Sequence, residues 1–271
     1  MFVKALNSIK VYVGSGGYLY EKHKMLTLII LLFFIVLAVW GVAFLFINKI
    51  SLYPRSFVYL GVYLLLMGIV LVLVVRGKES FHEYGFRWPR SLMNCMVLSA
   101  LLASVYVIIT VFIPGSLRNF EVLPPNPFDV YTNITIIFVA VFAEEIIFRG
   151  YILRNLIKMH GFFTAILLGS AMYSLTYAIY RLPLALVLEM QGQLESALSF
   201  FMAGIFLGTL FYKTRTLMYC IVVHLFIRIF QFLTPLHAMI SGYERLLFEI
   251  IAYATLTYVV LITVLTRKDG E

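Results

Sequence analysis

The sequence has few charged residues and almost no cysteine. Asp, Glu, Lys and Arg make up 13% of the 271 residues, whereas 62% are hydrophobic and the mean hydropathy is +0.98. A soluble domain of this size could not cover that much apolar surface in one core. Cys95 and Cys220 both lie in apolar stretches, so they provide neither a disulfide framework nor zinc-finger spacing.

The sequence also lacks the alternating hydrophobicity of a membrane barrel, because its apolar runs are continuous. Backbone groups in lipid must pair within the chain, which leaves helices as the way to cross the bilayer. No small-x-small cleavage site follows the first apolar run, and that run is too long for a signal peptide. The sequence therefore predicts an all-α, polytopic integral membrane protein.

Apolar runs of membrane-spanning length are frequent. A bilayer core needs roughly 20 apolar helical residues, and six runs meet or approach that length, while two weaker runs are polar at one end. We therefore expect about eight transmembrane helices. They are Met25 to Asn48, Phe57 to Val75, Leu92 to Ile113, Ile134 to Phe148, Gly161 to Tyr180, Ala197 to Tyr212, Thr216 to Leu233 and Leu246 to Thr266.

The net charge of +8 is scattered over the segments between the spans, with no single basic stripe, so nucleic acid is not an expected partner. With a cytoplasmic N-terminus, fifteen of the 21 Lys and Arg residues fall on inner segments and five on outer ones. The positive-inside rule then predicts that both termini are cytoplasmic, in a cell membrane. No repeat relates the halves of the chain, which disfavours an ion-coupled carrier built from inverted repeats.

Two adjacent carboxylates, Glu144 and Glu145, close the fourth predicted span. Intramembrane carboxylates are expensive and usually paired, protonated or functional. Glu145 and Arg149 have the i, i+4 spacing of an intrahelical ion pair, which leaves Glu144 to face a cavity and move a proton. The alternative is a helix end at the membrane surface, where Glu145, Arg149 and Arg154 are merely solvated.

His224 and Arg228 lie one turn apart within the seventh predicted span. A membrane histidine is more often a helix-helix hydrogen-bonding group than a ligand. A guanidinium at this depth needs an anion, however, and Glu144 and Glu145 are its expected partners. The sequence therefore predicts that the fourth and seventh spans pack together.

These residues resemble a known family, the CAAX-protease and bacteriocin-processing (CPBP) intramembrane proteases, which include the type II CAAX prenyl endopeptidases. The resemblance rests on Glu144-Glu145-Ile146-Ile147-Phe148-Arg149-Gly150, on a glycine-spaced helix from Gly204 to Gly208, and on His224. It implies a CAAX-protease-like bundle. Three regions follow: residues 1–130 with three spans, a four-helix core at 131–235, and 236–271 with the last span and a cytoplasmic tail.

The resemblance also implies roles for these residues. Glu144 would be the base that activates water, with Glu145 beside it and His224 as proton carrier or metal ligand. The family's other histidine position, four residues after the aromatic Tyr173, is Tyr177 here, and its asparagine is Arg228. Arg149, Tyr177 and Arg228 are therefore predicted to be structural or electrostatic residues.

Zinc is the cofactor that the resemblance makes conceivable, held by His224 and Glu144. One histidine among carboxylates lacks the nitrogen-rich set usual for that metal. We thus expect a catalytically impaired relative that binds membrane lipid, a lipidated or membrane-anchored peptide, or a partner membrane protein. The alternative is an active endopeptidase that cleaves membrane-tethered or prenylated peptides with glutamate-activated water.

Overall fold

The computed structural model describes residues 30, 52–76, 80–116, 127–185, 191–233 and 242–265. Helices and short turns account for these residues, with no strand among them. The long helices are α1 Leu52–Arg76, α2 Leu92–Val107, α3 Pro127–Glu144, α5 Phe162–Ala185, α6 Gln191–Thr214, α7 Leu217–Leu233 and α8 Gly242–Leu265. The expected all-α fold is confirmed.

Two of these helices continue through π-helical segments. After α2 the chain runs through a π segment, Ile108–Phe112, into a last turn, Ile113–Ser116. After α3 it runs through a longer π segment, Glu145–Leu153, into the short helix α4, Arg154–His160. The regular spacing of apolar residues along a helix does not reveal π segments, and neither of the two was predicted from the sequence.

Three of the described helices are long and apolar enough to cross a membrane: Leu92–Phe112, Leu194–Thr214 and Tyr243–Thr263. Three shorter helices are also apolar: Tyr63–Val75, Phe162–Thr176 and Leu217–Leu233. Seven of the eight predicted spans coincide with helices, and the first, Met25 to Asn48, lies outside the described residues. The chain is an integral membrane protein.

The outer surface of the bundle carries many large apolar side chains, including Leu65, Leu101, Phe163 and Tyr258. Such a surface would be unfavourable in water and is appropriate to lipid. The interior contains a single apolar cluster in which Phe206, Tyr173 and Leu256 are fully buried. Polar side chains are nevertheless buried beside this cluster, and they form the site described below.

Helices α5 and α6 approach each other closely at Gly204. A Cβ atom at this position would lie 2.9 Å from Cα of Ser170 and 2.8 Å from its Cβ. Four residues later, a Cβ at Gly208 would lie 3.4 Å from Leu153 and 3.5 Å from Ile166. The glycine spacing thus permits the close helix packing expected from small residues in membrane proteins.

Gly204→Ala should therefore destabilise the fold, because the added methyl group meets the Ser170 backbone, which cannot move away independently. We expect a loss of about 1–3 kcal/mol, the usual cost of overpacking, measured by unfolding in detergent. Gly68→Ala in α1 is the matched control, since a Cβ there meets nothing within 4 Å. Equal stabilities of the two variants would contradict the close approach of α5 and α6.

The segment between α1 and α2 is fixed onto the turn between α6 and α7. It contains a 3-10 turn, Phe81–Tyr84, which ends at Gly85 with φ +86°. The Leu217 amide donates to the Gly85 carbonyl over 2.9 Å, and the Thr216 hydroxyl donates to the Arg87 carbonyl over 2.6 Å. This surface loop, residues 80–90, is thereby held against the bundle.

The aromatic side chains of the surface loop divide into two groups. Trp88 is 79% exposed and Phe81 is also exposed, as expected for anchors at the membrane interface. Tyr84 instead is buried, and its ring stacks on Tyr151 of the π segment at 5.8 Å. The loop therefore contacts both the membrane interface and the segment that carries the carboxylate motif.

Candidate active site

The carboxylate motif lies where α3 becomes the π segment. Glu144 is the last residue of α3, Glu145 is the first of the π segment, and every side chain from Glu144 to Leu153 is buried. The alternative of a solvated helix end is therefore wrong for Glu145 and Arg149. Arg154, one turn beyond, is the half-buried residue at the interface.

Glu145 and Arg149 form the predicted ion pair. Arg149 Nη1 donates to Glu145 Oε1 over 3.0 Å, with side-chain exposures of 3% and 0%. Burying two charges is strongly unfavourable unless they compensate each other. Glu145 Oε2 and Arg149 Nη2 are buried and have no hydrogen-bond partner among the described residues. The pair is thus compensated in charge while retaining one unused donor and one unused acceptor atom.

His224 of α7 joins the same carboxylate. Its Nδ1 lies 2.6 Å from Glu145 Oε1, which confirms that the fourth and seventh predicted spans pack together. On the other side of the ring, Arg228 Nε donates to His224 Nε2 over 3.3 Å. Because a guanidinium can only donate, Nε2 accepts and the proton of the neutral ring is assigned to Nδ1, facing Glu145.

The sequence predicts that Arg228 pairs with Glu144 or Glu145. For Glu145 this prediction needs a correction, because His224 lies between the two side chains. Arg228 binds the far side of the His224 ring, so its charge reaches Glu145 through the imidazole. Its guanidinium also lies over the Phe200 ring, 5.1 Å from the ring centre. The physical reason is spacing: Arg228 is one turn from His224 on the same helix face, and the histidine occupies the position next to the carboxylate.

Glu144 points to a different helix. The Tyr173 hydroxyl of α5 donates to Glu144 Oε2 over 3.1 Å, and Arg149 lies over the Tyr173 ring, 4.3 Å from its centre. Consecutive helical residues point about 100° apart, and the two carboxylates accordingly contact α5 and α7 separately. Tyr173, to which the resemblance assigns the aromatic position, is thus the residue of α5 that contacts Glu144, whereas the side chain of Tyr177 lies outside the described residues.

A cavity of about 170 Å³ adjoins these groups. Tyr173 and His224, the side chains that hold the two carboxylates, form part of its wall together with Arg228. Neither glutamate of the motif lines it, so the expectation that Glu144 faces a cavity is not met here. Tyr173 and His224 thus connect the cavity wall to the two carboxylates of the motif.

The sequence analysis missed a third acidic residue of this region. Glu249 of α8 is buried and lines the same cavity as Arg228 and Arg245. It lies in the predicted eighth span, four residues after Arg245, and the sequence analysis gave it no role. Its position within an apolar run was the available signal, since charged side chains are rarely placed in lipid without a function.

Zinc does not fit the described donor atoms. No three His, Cys, Asp or Glu side chains are grouped for a metal ion in the parts of the chain that the structure describes. His224 already uses both ring nitrogens, one of them toward a guanidinium, and Glu145 Oε1 is shared by Arg149 and His224. A dication placed here would face two arginine charges with only one imidazole as a nitrogen ligand.

Comparison with known proteins supports the resemblance. The family model described as type II CAAX prenyl endopeptidase Rce1-like matches residues 126–230, which include the carboxylate motif, Tyr173 and His224. No curated protein in the comparison matches the chain. The predicted membership in the CAAX-protease family is confirmed for this segment. The division into 1–130, 131–235 and 236–271 stays a prediction.

The buried ion pair predicts strong energetic coupling. Glu145→Gln leaves the Arg149 charge without its carboxylate, and Arg149→Met leaves the carboxylate with His224 alone. Each should lower stability by about 3–5 kcal/mol, whereas the double variant should lose clearly less than the sum. Unfolding in detergent measures all four proteins. Additive losses would mean that the two charges do not depend on each other.

Proposed function

Because residues 126–230 form a domain of the type II CAAX prenyl endopeptidase family, we propose that this chain is a catalytically impaired member that binds a membrane-embedded peptide, a lipid or a partner membrane protein. The observation that carries this proposal is the state of His224. Its Nδ1 faces Glu145, and its Nε2 accepts from Arg228. No lone pair remains on the ring to accept a proton from water.

The carboxylates support the same interpretation. General-base catalysis needs an acceptor within hydrogen-bond reach of the water that loses its proton. Glu145 Oε1 is shared by a guanidinium and an imidazole, and Glu144 Oε2 accepts from Tyr173. Neither carboxylate lines the cavity in which a substrate would be held. These groups stabilise one another at the position where the family resemblance places the reaction.

The cavity itself supports a binding role. Arg228, Arg245 and Glu249 give its wall charged groups, while Phe200 and Tyr253 give it apolar surface. Such a mixed wall suits an amphipathic ligand whose polar part is oriented by a few fixed groups. His224 lies nine residues before the end of α7, so the cavity reaches roughly 14 Å into the helices. That is about half of a bilayer core.

An active intramembrane endopeptidase is the second candidate, favoured by the 2.6 Å contact between Glu145 and His224. Glu145 Oε2 has no partner among the described residues, so this oxygen could accept a proton from water. Arg228 would then stabilise the oxyanion of the cleaved peptide bond. In that case the substrate would be a membrane-tethered or prenylated peptide, as the family resemblance implies.

We also propose a cell-membrane location with both termini in the cytoplasm, on the basis of the loop charges. The cavity lies at the end of the bundle where α6 and α8 begin and α7 ends, near Ser199, Arg245 and Gln231. The surface loop contacts the opposite end, at the turn between α6 and α7. With the basic surface loop facing the cytoplasm, the cavity would open toward the outer side.

Cleavage of membrane-anchored or lipidated peptides by the purified protein separates the two functions. We expect wild type to bind such peptides or lipid without cleaving them, at the same background rate as Glu145→Ala. The matched variant Glu145→Gln keeps the shape of the side chain. Cleavage by wild type that falls by about 10³-fold or more in both variants would overturn the proposal and establish the endopeptidase.

Labelling with a membrane-impermeant maleimide tests the orientation. The native Cys95 and Cys220 are buried, so Ser199→Cys at the cavity and His160→Cys at the end of α4 can report separately. In intact cells we expect reagent to label Ser199→Cys, and to label His160→Cys only after permeabilisation. The reverse pattern would place the cavity on the cytoplasmic side.

A further inference from the structure

A second cavity, which shares no lining residue with the first, lies beneath the surface loop. It has a volume of about 230 Å³ and is lined by His82, Glu83, Arg87, Arg154, Phe211 and Arg215, and we name it the basic cavity. Its residues come from the surface loop, α4, the end of α6 and the turn before α7. We propose that the basic cavity binds the phosphate of an anionic phospholipid headgroup.

The charge of the basic cavity favours an anion. Three arginines line it, and its carboxylate, Glu83, accepts from Arg154 Nη2 and Lys158 Nζ, each over 3.3 Å. Hydrogen bonds and charge from Lys158 and Arg154 hold the pKa of Glu83 below its ordinary value, so it is a carboxylate at neutral pH. One carboxylate cannot balance the three arginines that line the cavity, and the excess positive charge remains there.

The arginines are held in place before any ligand arrives. Arg87 Nε donates to the His82 carbonyl over 3.0 Å, and Arg215 lies over the Tyr212 ring, 4.4 Å from its centre. Arg154 Nε is buried and has no hydrogen-bond partner among the described residues. Guanidinium groups bind phosphate through paired N–H donors, and their preorganisation reduces the entropy lost on binding.

The backbone also forms a fixed wall. A Cβ at Gly85 would lie 2.5 Å from Cε2 of Phe211, so the loop can approach this closely because residue 85 is glycine. Arg215 has φ +56°, an uncommon conformation for a residue other than glycine. Scattered basic residues that merely follow the positive-inside rule need no such constrained backbone. The constraint indicates a formed site rather than a general basic surface.

The position of the basic cavity favours a lipid over a soluble phosphate. It lies where α6 ends at Thr214 and α7 begins at Leu217, the level at which membrane helices leave the hydrocarbon core. Trp88, 79% exposed, follows Arg87 in the same loop and marks the interface. Basic pockets between membrane helices at this level bind anionic headgroups.

Tryptophan quenching by brominated lipid tests the proposal. The chain has two tryptophans, so Trp40→Phe leaves Trp88 as the reporter. The protein is placed in phosphatidylcholine vesicles in which a minor fraction is either brominated phosphatidylglycerol or brominated phosphatidylcholine. We expect severalfold stronger quenching by the anionic lipid. Arg215→Asn should abolish this preference, because asparagine tolerates the left-handed backbone and carries no charge.

Lys213→Gln is the matched control, since it removes one nearby charge from a residue that does not line the basic cavity. It should keep the preference, and both variants should unfold at the temperature of the Trp40→Phe protein. The proposal is overturned if the two brominated lipids quench Trp88 equally. It is also overturned if Lys213→Gln reduces the preference for the anionic lipid as much as Arg215→Asn does. It is also overturned if soluble glycerol phosphate, at the concentration of the lipid, removes the preference, because the site would then take a free phosphate.

Discussion

The buried Glu145–Arg149 pair is the constraint on which the centre of the bundle depends. Charges at this depth are tolerated only if each is compensated, so the helices must place a partner beside every one of them. Arg149 accordingly lies over Tyr173 of α5, and His224 of α7 meets the Glu145 carboxylate. The packing of three helices thus follows from the need to neutralise two side chains one turn apart.

Arg228 extends the buried charge network beyond the Glu145–Arg149 pair. It places a positive charge beside Nε2 of His224, on the side of the ring away from Glu145. The imidazole then acts as a bridge between a carboxylate and a guanidinium, with its tautomer set by both. A single residue on one face of α7 therefore determines which nitrogen of His224 faces the carboxylate with its proton.

The sequence predicted what depends on local spacing and on charge. The spans follow from apolar length, the Glu145–Arg149 pair from i, i+4 spacing, and the contact of α3 with α7 from the need of Arg228 for a partner. It did not predict the π segment at Glu145–Leu153, or that Glu249 reaches the cavity. Both depend on the register of one helix against its neighbours, for which a single sequence carries no periodic signal.

Gly150, which follows Arg149 in the motif, has a role unconnected with the carboxylates. A Cβ there would lie 3.3 Å from the Tyr84 carbonyl oxygen and 3.3 Å from Cδ1 of Leu217, between the surface loop and α7. The motif therefore meets two separate structural requirements, which are charge compensation in the interior and space for the surface loop beside α7. The stretch that carries the buried charges is thus also the stretch on which the surface loop rests, and a larger side chain at position 150 would have to push the loop or α7 aside.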